Sequence, residues 1–399
     1  MRMVVVVTGP VAVAAAPHIA EQFARQAKPV RVLHFVTGGF SGGATQVAIA
    51  LTRASLAAGG PVQPLLVLRS KYGVDPRRIA ELREQGLPVA TVPRWPHLAT
   101  ILRLALICRS FRADVLIAHG YSEHLWGRYA GLLAGVKNLV QVEHNTRERY
   151  TPFRRLQARW LARRTACFVG CSQAVCDALS KMGLPAERIM AIPNGIGLER
   201  FSSAEMRPFS RRIPGIVMVA RFSRQKDHAT LLRAIALLRG RGLRPPVVLA
   251  GGGKRVHRDA AQALANELGL SGQVNFMGVC SDVPALLTDH QIAVLSTHHE
   301  GMPLALLEGM AAGCAVVGSD VQGVREVIHH GIDGMLVAAG DPARLALVLE
   351  ALLRNRAKAS ALAARARESA IRQSGLDLMN RRYESLCLRL ARHHRVGSA

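Results

Sequence analysis

Acidic residues, aromatic residues and long apolar runs are all scarce in this chain. Only 27 of its 399 residues are Asp or Glu against 52 Lys or Arg, a formal charge of +25. Such a surplus bears on partners and solubility rather than on fold, and it points to anions: phosphorylated small molecules, an anionic membrane surface or nucleic acid. Aromatics are only 5% of the chain, and no stacking platform or recognition motif accompanies the charge, so nucleic acid is set aside as a partner. No stretch approaches ~18 uninterrupted apolar residues, because Gly, Pro, Arg or His breaks each run, and a polytopic membrane protein is thereby excluded. The seven cysteines are odd in number and mostly sit in apolar runs, where a thiol behaves as a small hydrophobe. Cys167, Cys171 and Cys176 have neither C-x-x-C spacing nor a nearby His pair, so no zinc site is expected, and a reducing, cytoplasmic location fits.

What the chain does have is apolar residues, 49% of the total with only 20% charged, which places it among folded proteins. At about 150 residues per domain its length suggests two or three cores. Residues 1–16 carry Arg2, an apolar stretch and Ala14-Ala15-Ala16, the outline of a secretory signal. Thr8, Gly9 and Pro10 interrupt that stretch and a better first strand begins at Arg31, so residues 1–30 read as an N-terminal extension.

From Arg31 the text runs RVLHFV, TGGFSGG, then a helical pattern that stops at Gly59-Gly60. Similar units follow, with strands expected near Val62–Leu68, Val89–Val92, Val115–Ala118, Leu139–Glu143 and Cys167–Gly170. Around 192–210 the turn-rich text IPNGIGLERFSSAEMRPFS marks a linker. The grammar then restarts with IVMVARFSRQKDHATLLRAIALLRGRG and continues through VVLAGGG, VNFMG, IAVLS, AVVGS and MLV. Alternation of this kind builds a parallel sheet covered on both faces. The expectation is an α/β protein of two Rossmann-like, doubly wound lobes, over 31–205 and 206–375, followed by a basic C-terminal helix over 376–399. From Pro342 to about His394 the pattern is almost wholly helical and basic, mostly a solvated face. Ligands of such sheets bind beyond the carboxyl ends of the strands, so the crevice between the lobes is the expected site.

Neither GGGK at 251–254 nor the glycines at 38–43 spells a P-loop or a dinucleotide fingerprint. Gly42 and Gly43 do supply a turn without Cβ atoms, which lets backbone amides approach an anion or simply turns the chain. The sharpest feature is HHEGMPLALLEGMAAG over 298–313. Pro303 at the first helical position would leave the first-turn amides free to hold an anion. Glu300 and Glu308, with seven residues between them, bracket those amides and could accept hydrogen bonds from hydroxyls on either side of a diphosphate. Acidic residues also favour a helix N-terminus for the macrodipole alone. Arg221 and Lys226, on the turn after IVMVA, are cations suited to the same diphosphate.

Together, TGGFSGGATQVAIAL, VEHNT, IPNGIGLERF, VARFSRQKDHATLLRAIALL, VVLAGGG, VNFMG and the 296–328 segment resemble the retaining glycosyltransferases of family 4, which have the GT-B fold. The resemblance covers about Arg31 to Val337 and is strongest after Ile192. It implies that Arg221 and Lys226 grip the donor diphosphate, that Glu308 binds the ribose and Glu300 the transferred sugar, and that Gly42 and Gly43 close over the phosphates. Gly278, Met302, Pro303 and Leu304 complete the implied donor contacts. His144 in VEHNT matches an active-site histidine near the reacting sugar, and His119 a neighbour that reads as structural. Gly197, Asp227 and Gly309 depart from the family's usual Asp, Gly and Ala.

The implied activity is transfer of a sugar from a UDP- or GDP-sugar, with retention, to a polysaccharide or lipid-linked acceptor in bacterial cell-surface glycan synthesis. No metal is expected, in keeping with the lack of any D-x-D sequence. The segment 147–164 carries Tyr150, Phe153, Leu156, Trp160 and Leu161 on one helical side and Arg155, Arg159 and Arg163 elsewhere. It suits either an anionic bilayer, making the protein peripheral to the membrane, or ordinary packing on the sheet. A nucleotide-sugar epimerase and a non-catalytic basic binding protein are the alternatives the sequence leaves open.

Overall fold

The computed structural model describes residues 28–40, 42–71, 76–147, 150–202 and 206–396. Most of the N-terminal extension over 1–30 lies outside them. Among the described residues thirteen strands form two sheets. The first contains β1 (Val30–Thr37), β2 (Val62–Arg69), β3 (Val89–Val92), β4 (Val115–His119), β5 (Asn138–Glu143), β6 (Cys167–Gly170) and β7 (Ile189–Ala191). Its order is β3-β2-β1-β4-β5-β6-β7. The second contains β8 (Ile213–Val219), β9 (Val247–Ala250), β10 (Val274–Gly278), β11 (His290–Leu295), β12 (Ala315–Ser319) and β13 (Met335–Val337), in the order β10-β9-β8-β11-β12-β13. Every neighbouring pair is parallel.

The inner strands are largely apolar because helices cover both faces. β4 reads VLIAH and β11 HQIAVL, and all their residues are buried. In both sheets the strand order reverses beside the first strand, between β1 and β4 and again between β8 and β11. A crevice opens at such switch points past the carboxyl ends of the strands. The expected two Rossmann-like lobes are therefore present. β7 is an addition to the expected strands, too short and too close to Pro193 to announce itself.

The lobes are joined twice. The outgoing segment pairs with the returning one, Ile196 N donating to Ser374 O (2.8 Å) and Leu376 N to Ile196 O (2.9 Å). A Cβ on Gly195 would stand 2.7 Å from Gly375 O, so that crossing needs a glycine. The chain after Gly375 corrects the solvated-face reading of the C-terminus. The helix Leu376–Val396 returns to the first lobe, where Met379, Tyr383, Leu386 and Cys387 are buried in the core that contains Val47 and Ile117. Arg381 and Arg382 stay on its outer face. The preceding helices Pro342–Arg354 and Arg356–Gln373 likewise bury one side each in the second lobe.

Candidate functional site

Two loops at the carboxyl ends of β8 and β11 lock together. His298 N donates to Gln225 O (2.9 Å) and Gln225 Nε2 donates to His299 O (2.7 Å). Thr297 N is held by Ser319 Oγ at the end of β12 (2.8 Å). This frame sets Lys226 Nζ 2.5 Å from Glu300 Oε1, which also accepts from Thr297 Oγ1 (2.7 Å). Glu300 is only 6% exposed, so its charge rests on those two donors. Arg221, by contrast, is exposed, joins neither Lys226 nor Glu300, and makes no ion pair among the described residues.

The loop behind Arg221 explains two glycines. Gly251 has φ +151° and Gly253 φ +142°, and a Cβ on either would run into the backbone of Ala220 or Phe222. Gly278, at φ +78°, ends β10 and accepts from Gly251 N (2.6 Å). Its place in the site is thus to seat the glycine loop that backs Arg221. The unusual Asp227 caps the helix His228–Gly240 by accepting from Thr230 N (3.2 Å), and a Cβ on Gly309 would lie 3.0 Å from Ala293 Cβ, so the helix sits close on the sheet.

The helix Leu304–Ala311 begins one residue later than expected. Pro303 is its N-cap, and its carbonyl already accepts from Leu306 N (3.1 Å). The amides of Leu304 and Ala305 therefore have no carbonyl one turn back and face the cleft end of the helix. Met302 lies behind them, its sulfur accepting from Asn194 N (3.1 Å). Glu308, one turn on, has no hydrogen-bond partner among the described residues, and burial pushes its carboxyl from the usual range up to about 7, with Arg200 pulling the other way.

That shift has a measurable sign. Ligand hydroxyls that donate to this carboxyl favour the anion, so such binding lowers the Glu308 pKa and releases a proton below pH 7. A ligand that donates hydroxyls to Glu308 and has no group of its own titrating between pH 6 and pH 8 is expected to bind about tenfold more weakly at pH 6 than at pH 8, with a plateau above. Calorimetric titration across that range checks it, with Glu308→Gln expected to flatten the profile; an unflattened profile would assign the proton to another group.

The first lobe contributes a column of three imidazoles. His34 Nδ1 lies 3.1 Å from His119 Nε2, and His119 Nδ1 lies 3.3 Å from His144 Nε2. Burial holds His34 and His144 down to about 4 and, with its two neighbours, holds His119 well below the usual imidazole range, so all three are neutral at pH 7. A neutral imidazole has one N–H, so both bonds must run in the same direction. The end atom, His144 Nδ1, is buried without a partner. It donates when the column points outward and accepts when it points inward.

The lobes meet where these parts converge. His299 Nδ1 lies 3.2 Å from Asn145 Oδ1, and Thr146 Oγ1 donates to Glu300 O (3.2 Å). A Cβ on Gly43 would stand 3.8 Å from Leu304 Cδ1, which puts the glycine turn of Gly42 and Gly43 at the start of the second lobe's helix. Glu326 reaches across to accept from Gln173 N and Ala174 N, both at 2.7 Å. The structure therefore brings together Lys226, Glu300, His144, Gly43 and Leu304. Sequence reasoning missed His34, Asn145, Thr297 and Glu326. His34 reads as one more residue of an apolar strand, Asn145 and Glu326 act through partners far away in the chain, and Thr297, though close to Glu300 in sequence, belongs to no motif that marks it.

Two family models match, in order along the chain. Glycosyltransferase Family 4 matches residues 41–200 and glycosyl transferases group 1 matches residues 209–369. Among curated proteins the chain is similar to the putative glycosyltransferase EpsD of Bacillus subtilis, 31% identical over 54% of this chain and 59% of EpsD. It is also similar to the UDP-Gal:alpha-D-GlcNAc-diphosphoundecaprenol alpha-1,3-galactosyltransferase of Escherichia coli, 24% identical over 61% of this chain and 67% of that one. Among solved structures, Anabaena Alr3699/HepE in complex with UDP and glucose superposes with a TM-score of 0.77 at 20% identity, over 90% of this chain and 99% of that one. That likeness establishes the two-lobed GT-B fold.

Proposed function

The chain belongs to the family 4, group 1 glycosyltransferases, and from that membership we propose that it moves a sugar from a UDP- or GDP-sugar to a glycan or lipid-linked acceptor in bacterial cell-surface glycan assembly. The observation that carries the reading is the Lys226–Glu300 pair beside the open N-terminus of the helix Leu304–Ala311, facing His144 across the cleft. As the sugar departs, negative charge builds on the β-phosphate. Preorganised cations and amides stabilise it there without reorganising. Lys226, Arg221 and the amides of Leu304 and Ala305 are that set, and we assign no metal to the step. Glu300 and Glu308 take hydroxyls of the sugar and the ribose.

Glu300 binds rather than attacks, so the paired-carboxylate scheme of glycoside hydrolysis does not describe this site. Retention is the outcome we propose from family membership. A thermal-shift panel of UDP-, GDP- and ADP-sugars tests the donor, since a ligand of the native state raises apparent stability. The expected result is stabilisation by one nucleotide class, and transfer with the donor's anomeric configuration by NMR. Inversion, or epimerised donor formed without any acceptor, would overturn the reading.

We further propose that the enzyme works at the inner membrane face. The helix Pro152–Ala162 exposes Phe153 (68%), Leu156 (65%) and Trp160 (56%), with Arg155, Arg159 and Arg163 exposed around them. Leu161 instead faces the core, and Tyr150 lies before the helix, its hydroxyl 2.5 Å from His124 Nε2. An outward apolar stripe ringed by arginines suits an anionic bilayer. Phe153→Ser with Trp160→Ser is expected to abolish co-sedimentation with phosphatidylglycerol vesicles at low salt; equal pelleting defeats the membrane proposal.

A further inference from the structure

The imidazole column follows from strand register. Residues two apart on a strand point to the same face. His34 of β1 pairs with Ile117 of β4, two residues short of His119, and His119 pairs with Val142 of β5, two residues short of His144. The rings therefore climb one face diagonally, from within the sheet to the edge of the cleft, on the side whose core holds Val32, Ile117 and Val142. Ring centres stand 5.4 and 5.6 Å apart, with planes 29° and 19° from parallel. Those separations equal the N···N distances of 3.1 and 3.3 Å plus one ring radius at either side, so the rings meet edge to edge and both hydrogen bonds run in the ring planes.

Neutral rings share the two bonds in one direction only, and the ends of the column decide which. If it pointed outward, His144 Nδ1 would carry a proton, and that atom is closed to solvent with no acceptor. If it points inward, the same atom keeps an unfilled lone pair, and the last proton sits on His34 Nε2, which is not left both closed and unpartnered. Among buried backbone groups an orphaned N–H is a rarer defect than an under-used acceptor, and the same ordering favours the inward column. His144 Nε2 then donates to His119 Nδ1, and His119 Nε2 donates to His34 Nδ1. His34 is the acceptor on which the other two rings depend.

We propose that His34 is a positioning residue for His144: by accepting from His119 it holds all three rings as Nε2–H tautomers and fixes the His144 ring from two strands away. The inference rests on the glycosyltransferase reading, which puts His144 at the transferred sugar, and adds a residue that touches neither donor nor acceptor. Fixing the ring also fixes the main chain that bears it, and the His144 carbonyl oxygen is the atom that a Cβ on Gly301, next to Glu300, would overlap. Removing the acceptor at position 34 leaves an orphaned N–H in either direction, on His119 if the column points inward and on His144 if it points outward. The two directions then compete, and the His144 ring loses its single state.

The test uses the full chain with nitrogen-15-labelled histidine, read by two-bond nitrogen–proton correlation NMR at neutral pH, which reports each tautomer directly. Loss of one signal in His144→Asn identifies that ring. His34→Phe keeps a ring and removes the acceptor, whereas His34→Asn returns an acceptor, its Oδ1 standing near the former Nδ1. Wild type is expected to show His144 with Nε2 protonated and Nδ1 bare, His34→Phe to average the two nitrogens, and His34→Asn to restore the wild-type pattern. Turnover is followed as nucleotide release from UDP-glucose and GDP-mannose with water as acceptor. In His34→Phe it is expected to fall about tenfold, as when a metal-bound histidine loses its outer partner, with the donor KM unchanged. His34→Leu repeats the comparison if the phenyl ring prevents folding. A proton on His144 Nδ1 in wild type overturns the proposal, as does an unchanged His144 pattern in the folded His34→Phe or His34→Leu protein, or wild-type turnover from an averaged ring. Because the tautomer is read without substrate, wild-type protein that releases neither nucleotide counts against the glycosyltransferase reading alone.

Discussion

Replacing Lys226 with alanine is expected to lower turnover by about 10²–10³, the usual loss when one preorganised donor to a developing oxyanion is removed. A second, separable effect follows from its pairing. Glu300 is 7% exposed at its side chain and Lys226 14%, so the substitution leaves a buried carboxylate with Thr297 Oγ1 as its remaining donor. Breaking a buried pair from one side costs about 3–5 kcal/mol, because the surviving charge is stranded. Thr297 brings this case towards the lower figure. The double variant Lys226→Ala with Glu300→Gln distinguishes the two effects: it removes the stranded charge and is expected to recover most of the urea stability while turnover stays low. Wild-type rates from a folded Lys226→Ala protein would remove Lys226 from the mechanism. Stability loss without rate loss would make the pair purely structural.

The features legible in the sequence are those whose signal is local. β4, β11 and β12 contain unbroken apolar runs, VLIA, IAVL and AVV, because both faces of each strand are covered, and each run is followed by the turn and helical period that a parallel crossover requires. Glu300 and Glu308 stood out because one helix start fixes their spacing. Other features depend on contacts that no window of sequence contains. The helix Leu376–Val396 looks like a solvated basic helix until the return crossing at Gly375 lays Tyr383 and Leu386 on the first lobe. His34 gains a role only when the register of β1 and β4 puts it beside His119. Asn145 and His299 meet across 154 positions, and Glu326 caps a helix that begins about 150 residues earlier in the chain. Tyr150, grouped with a helix by its spacing, is drawn off that helix by a polar partner in the core: fully buried Arg128 donates to His124 Nδ1 (2.7 Å), which leaves Nε2–H for the Tyr150 hydroxyl. Periodicity reports which face is apolar, and it carries no information about which lobe receives that face.

Gly301→Ala is expected to be as damaging as loss of Lys226, although Gly301 has no side chain to contribute. A Cβ there would overlap the His144 carbonyl oxygen in the opposite lobe and stand 2.9 Å from Cys171 Sγ. On its other side the same peptide is closed off by Gly323, whose own Cβ would collide with the Glu300 and Gly301 carbonyls. The segment thus has no direction in which to yield except by moving the first lobe away. Because Glu300 precedes it and His144 supplies the obstructing atom, the displacement falls on the two groups that the proposed function brings together at the reacting carbon. A misplacement of about 1 Å typically costs about 10²-fold in rate. Lobe separation also pulls Glu326 from the amides of Gln173 and Ala174, so those two should exchange hydrogen faster while the sheet amides of both lobes keep their protection. Gly323→Ala provides the contrast, since it deforms the same peptide from within the second lobe and should slow transfer while leaving the Gln173 and Ala174 amides protected. If Gly301→Ala reduces transfer with no change at those amides, the damage is confined to the loop, and contact between the lobes at His144 is not what positions Glu300.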